Sequence, residues 1–104
     1  MNAEAFGGAL VLDAVAGVFR VNDVPLELTC MEHRVLTALA SKPGTLVSKV
    51  ELTVALYAVK AHAAESNVIE VLISRVRKEL RLAGAAGAVE TVCGLGYRYT
   101  GPVA

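Results

Sequence analysis

Hydrophobic and polar positions change period along this chain. Residues 1–8 show no period and read as a linker or tail, with Gly7 and Gly8 as breakers. From Ala9 to Leu28 come three short β-rich stretches, 9–13 (ALVLD), 17–21 (GVFRV) and 24–28 (VPLEL), punctuated by Gly17 and the Asn22-Asp23 pair. That pattern predicts an antiparallel meander. Pro25 has no N–H to give to a ladder, so its strand belongs at an edge.

At Thr29 the spacing becomes helical. Thr29-Cys30-Met31-Glu32 is a capping box, in which hydroxyl and carboxylate each accept from the other residue's amide. Met31, Val35, Leu36 and Leu39 follow at helical spacing, and Lys42-Pro43-Gly44 stops the helix. Ser48-Lys49-Val50-Glu51 repeats the box and opens a second helix to about Ala58, with Val50, Leu52, Leu56 and Tyr57 to bury. Thr45-Leu46-Val47 between them has room for a turn or one β bridge. Residues 58–66 read as a loop, and Ser66 or Asn67 caps a third helix running to about Leu82. Its Ile69, Ile73, Val76 and Leu80 form one apolar stripe, leaving Asn67, Val68, Glu70, Val71, Ser74, Arg75 and Lys78 on other faces.

After the small-residue loop 83–88, strands at 89–92 and 97–100 flank the turn Cys93-Gly94-Leu95-Gly96, and 102–104 trail off. The order predicts an α+β fold over 9–101. It is a winged helix-turn-helix with an N-terminal antiparallel sheet of about four short strands, three helices and a C-terminal β-hairpin wing.

Composition narrows the function. The 104 residues are 55% hydrophobic and carry ten Lys plus Arg against ten Asp plus Glu, which suits one globular domain and argues against disorder. No uncharged run exceeds eight residues, too short for a membrane span, and no basic-then-apolar leader is visible, so a cytoplasmic protein is expected. Cys30 and Cys93 lie far apart with no ligand set around them, which fits a reducing compartment; no metal, cofactor or catalytic residue is expected. His33 and His62 have no partner arrangement that would make a catalytic site. Neutral net charge argues against a bulk electrostatic grip on nucleic acid, yet Arg75, Arg77, Lys78 and Arg81 place four of the ten cations within seven residues. The third helix therefore carries the first functional clue.

These blocks resemble the OmpR/PhoB-type winged-helix domain, the DNA-binding half of two-component response regulators. The resemblance spans about 9–101 and rests on four blocks in order: Leu26-Glu27-Leu28-Thr29 with Glu32 and Leu36; Val47-Ser48-Lys49 with Leu52; Ser66-Asn67-Val68-Ile69-Glu70-Val71 through Arg75-Val76-Arg77-Lys78-Glu79-Leu80; and Glu90-Thr91-Val92-Cys93-Gly94-Leu95-Gly96-Tyr97-Arg98. It implies an effector domain whose third helix (about 67–82) enters the major groove and whose wing (about 89–100) meets the minor groove. It also implies tandem half-sites, a head-to-tail dimer on DNA and a monomer otherwise, and contact with RNA polymerase through 58–66. The family's N-terminal receiver domain is not in this sequence, so the chain looks like an isolated effector domain.

By position on the third helix, Val71 and Arg75 are the base-edge candidates, because Arg can bond guanine O6 and N7 and Val can pack on a thymine methyl. Asn67, Val68 and Ser74 flank them. Arg77 and Lys78 divide between phosphate contact and packing, and Glu70 is expected to pair within its helix, with Ser74 or Arg75. Thr91 and Arg98 can reach the backbone from the wing, while His33, Arg34, Lys42 and Lys49 are read as ordinary surface residues with a secondary claim on phosphate. Tyr97 reads as a packing aromatic and the Gly94/Gly96 pair as turn glycines, since no helix follows to make a nucleotide loop. Cys93 stands where the family carries the Arg that enters the minor groove. The competing expectation is a winged helix adapted to bind a protein, with weak or no affinity for DNA.

Overall fold

The computed structural model describes residues 9–13, 15–56 and 68–101. The expected tails at 1–8 and 102–104, the loop 58–66, Tyr57 and Asn67 lie outside the described residues.

Strands β1 (Leu10–Asp13), β2 (Val18–Val21) and β3 (Val24–Pro25) form an antiparallel sheet in that order, Leu10 pairing Val21 and Arg20 pairing Pro25. Among the described residues the sheet has three strands, not about four, and β3 stops at Pro25 rather than Leu28. Pro25 has no amide to give, which confines β3 to the edge, and the next residue, Leu26, turns into the core. Asn22 and Asp23, at φ 54° and 65°, make the two-residue β2–β3 turn, a left-handed geometry their short polar side chains tolerate. In the β1–β2 turn, Asp13 Oδ1 accepts the amides of Val15 and Ala16. The Ala16 amide above all holds its carboxyl below the usual range.

Helix α1 (Cys30–Ala40) starts on the predicted capping box, with Thr29 N–H donating to Glu32 Oε1 at 3.0 Å and Glu32 N–H to Thr29 Oγ1 at 3.2 Å. Helix α2 (Lys49–Leu56) repeats the device between Ser48 and Glu51, at 3.1 Å in both directions. Val50 does not bury as expected; it is 72% exposed. In eight residues only one stripe, Leu52 and Leu56, can face inward, and Val50 and Val54 fall on the opposite side.

Helix α3 (Val68–Leu82) buries Ile69, Ile73, Val76 and Leu80, with Leu72 added to the stripe. Strands β5 (Val89–Val92) and β6 (Gly96–Tyr99) form the hairpin, and the Val47–Ser48 segment is a short strand, β4, on the outer side of β6. Gly96 permits that close approach, because a Cβ there would collide with the carbonyl oxygen of Val47. Gly94, at φ 74°, takes the turn. The core joins both sheets to all three helices, and Ala83, Ala85 and Ala88 of the 83–88 loop are part of it.

Candidate nucleic-acid interface

The 3.6-residue period that buries one side of α3 forces Val71, Ser74 and Lys78 onto the opposite side, with Glu70 and Arg75 at its margins. All five are exposed. Val68, at the head of the helix, is half-buried and packs against the core instead. The face borders an open cleft of about 780 Å³, closed on its other side by Glu27, Thr29 and Glu32 around the start of α1. One helix face and one helix N-terminus thus form a ledge.

Most cations on this ledge and on the neighbouring α2 and wing already have partners. Lys49 Nζ donates to Glu70 Oε2 at 2.6 Å, joining the first turns of α2 and α3. That bond holds the Glu70 carboxyl below its ordinary value and raises the Lys49 ammonium. Glu70 therefore pairs across helices rather than with Ser74 or Arg75, because α2's N-terminus brings an ammonium within reach. Arg75 Nε lies 4.0 Å from Glu32 Oε2; the Glu32 carboxylate is buried, serving the α1 cap and facing Arg75 at once. Arg98 Nε donates to Glu90 Oε1 at 2.8 Å across the hairpin, in the Glu90–Arg98 register pair. Lys78 makes no ion pair among the described residues.

Arg77 packs. It donates from Nε to the Val89 carbonyl at 3.2 Å and from Nη2 to Thr91 Oγ1 at 2.6 Å, and its guanidinium lies 5.8 Å from the centroid of the buried Tyr97 ring. Thr91 and Arg98, both expected to reach DNA from the wing, thus have intramolecular partners in the free protein. Cys93 is exposed in the hairpin turn.

Of the secondary phosphate candidates, His33 stacks on Phe19 with centroids 4.9 Å apart, Arg34 reaches the Ala55 carbonyl at 3.5 Å, and Lys42 pairs with Glu51 at 3.0 Å. No three His, Cys, Asp or Glu side chains converge as a metal site among the described residues. No helix among them is long and apolar enough to cross a membrane.

The family model described as "Transcriptional regulatory protein, C terminal" matches residues 23–99. The two-component response regulator PhoP of Pseudomonas aeruginosa is 37% identical over 93 residues, which cover 89% of this chain and 41% of that protein. The transcriptional regulatory protein PhoP of Escherichia coli K12 is 34% identical over 79 residues, 76% of this chain and 35% of that one. The chain thus spans less than half the length of these relatives. Among solved structures, the DNA-binding domain of Klebsiella pneumoniae RstA in complex with the RstA box superposes at TM-score 0.73 with 26% identity, over 89% of this chain and 92% of that one. The AdeR DNA-binding domain in complex with an intercistronic region matches in fold at TM-score 0.78 with 22% identity, over 89% and 95%. With these blocks and this fold, the chain belongs to the family of C-terminal domains of transcriptional regulatory proteins, the OmpR/PhoB type of response regulator.

Proposed function

We propose that this domain binds double-stranded DNA sequence-specifically, as the effector half of a response-regulator transcription factor. The observation that carries the reading is the uncovered face of α3, where Val71, Ser74, Arg75 and Lys78 share one exposed side of a helix in helix-turn-helix register. Set in a major groove, Arg75 meets guanine O6 and N7, Val71 packs on a thymine methyl, and Lys78 takes a phosphate. Asn67 and Ser74 are the flanking contacts, while Val68, packed against the core, anchors the head of the helix. Thr91 and Arg98 serve from the wing by exchanging their present partners for backbone oxygens.

Tandem half-sites bound by two domains head to tail, a monomer in isolation, polymerase contact through 58–66 and a cytoplasmic location complete the proposal. The relatives support the DNA-binding part of this reading: RstA is held on its box in the matching structure, and PhoP is a regulator of transcription by name. Selection from a random duplex pool, followed by anisotropy on the selected sequence and on random sequence, tests it; equal affinity for both overturns it.

The neutral chain, Arg98 occupied by Glu90, and Cys93 at the wing tip favour a second reading, a protein-interaction module. A salt titration separates the two, because phosphate contacts give affinity that falls steeply with salt.

A further inference from the structure

Two half-exposed ion pairs lie beside the proposed interface, and each engages a cation for which the sequence offers a claim on phosphate. Lys49–Glu70 sits at the head of α3, with Glu70 bordering the same cleft as Val71 and Arg75; Arg98–Glu90 crosses the wing hairpin. Both pairs leave roughly half of each side chain open to water. An exposed pair of that kind contributes little to stability, so it reads poorly as a structural bolt. Glu32 differs: it is buried and committed to the α1 cap.

We infer that Glu70 and Glu90 are specificity-determining residues, carboxylates that withhold Lys49 and Arg98 from phosphate and so suppress binding to non-cognate duplex. The inference rests on the proposed DNA-binding function. Non-specific affinity comes from cations that release condensed counterions on meeting phosphate. A lysine already neutralised by a carboxylate releases fewer, because the ammonium exchanges one anion for another and leaves the carboxylate beside the DNA. On random sequence nothing compensates for the exchange. On a cognate site, base contacts from α3 do. The chain's balance of ten cations and ten anions agrees with a domain that does not rely on bulk attraction.

The test compares wild type, Glu70→Gln, Glu90→Gln, the double variant and Asp23→Asn on two probes: a random-sequence duplex and the duplex selected by the wild-type chain. Asp23→Asn removes the same charge at the β2–β3 turn, which Asn22 ties to the Ala83 carbonyl beyond the far end of α3. Each Gln substitution at 70 or 90 is expected to steepen the slope of log affinity against log salt by about 0.9 and to tighten random-duplex binding about five- to tenfold near about 0.1 M salt. The selected duplex gains less, so the specificity ratio falls, and Asp23→Asn changes neither. Unchanged slopes, or Asp23→Asn matching the Gln variants, overturn the inference while leaving the DNA-binding reading in place. Loss of cognate affinity in Glu70→Gln with random binding unmoved also overturns it, making Glu70 a base-reading residue. Absence of DNA binding by wild type and every variant removes both. Circular dichroism melts confirm that each variant is folded.

Discussion

The Arg77 guanidinium donates to Thr91 Oγ1 at 2.6 Å and to the Val89 carbonyl at 3.2 Å, so one side chain of α3 sets the position of strand β5 of the wing. Charge-assisted hydrogen bonds are worth about 1.5–3 kcal/mol, and the Tyr97 ring beneath adds to them. Arg77→Ala is expected to destabilise the domain by about 1–3 kcal/mol. Hydrogen exchange should quicken in 89–92 and 96–99 before it does in α1. Lysine at 77 cannot supply two parallel donors and should recover only part of the loss. Uniform exchange rates across the fold would show that the wing is not tied through this residue.

Arg75 and Lys78 are predicted to separate into different kinds of contact. Arg75→Ala should cost about 1–3 kcal/mol on the selected duplex and relax base preference at one position. Lys78→Ala should weaken all sequences alike, as loss of a phosphate contact does. Anisotropy on single-base variants of the selected site checks both. An unchanged specificity ratio in Arg75→Ala would remove it as a base reader.

Ile73 lies directly under the exposed face of α3 and is 1% exposed. Ile73→Ala should destabilise by about 2–5 kcal/mol through lost burial and the cavity left behind. Urea titration reads this directly. A near-neutral result would mean that the stripe beneath the interface tolerates voids.

The features legible in the sequence are those written in local spacing. Thr29-x-x-Glu32 and Ser48-x-x-Glu51 each close a box within four residues, and both helices begin where those boxes stand. The α3 stripe was legible for the same reason, since fifteen residues sample the 3.6 period four times. Val50 was not, because α2 is short and apolar on both sides, leaving the core to choose which side turns inward. The candidate site divides along the same line. Which residues of α3 face outward follows from periodicity. Lys49–Glu70, Arg77–Thr91 and Arg75–Glu32 join residues 21, 14 and 43 positions apart, and such pairs have no signature until the helices pack.

Tyr99 is fully buried, and burial pushes its phenol up to about 12 from 10.0. The folded state therefore holds the neutral phenol, and the unfolded chain releases the proton first. Stability from this group is complete below pH 10.0 and is lost as pH rises from there through about 12. A shift of this size corresponds to about 2–3 kcal/mol. Tyr99→Phe should flatten the alkaline limb of a stability-against-pH curve between those values while leaving the acid limb in place. An alkaline limb equally steep in both proteins would assign that loss to other groups.

Cys93 sits exposed at the hairpin turn, where the family resemblance places an arginine that enters the minor groove. The negative potential there rewards a guanidinium, and a thiol is too short and uncharged to take its place. The wing of this protein should accordingly contribute little minor-groove affinity or A·T preference. Arg98, left with the third helix to hold the complex, must give up its Glu90 partner to reach a backbone oxygen, and that release leaves the carboxylate beside the DNA. Cys93→Arg is predicted to tighten cognate binding by about 1 kcal/mol or more and to steepen the salt slope by about one phosphate's worth. Combining it with Glu90→Gln should add to both effects, since the two changes act on separate phosphate contacts of one wing. If Cys93→Arg alters neither affinity nor slope, the wing does not approach the groove, and the protein-interaction reading gains the ground that DNA binding loses.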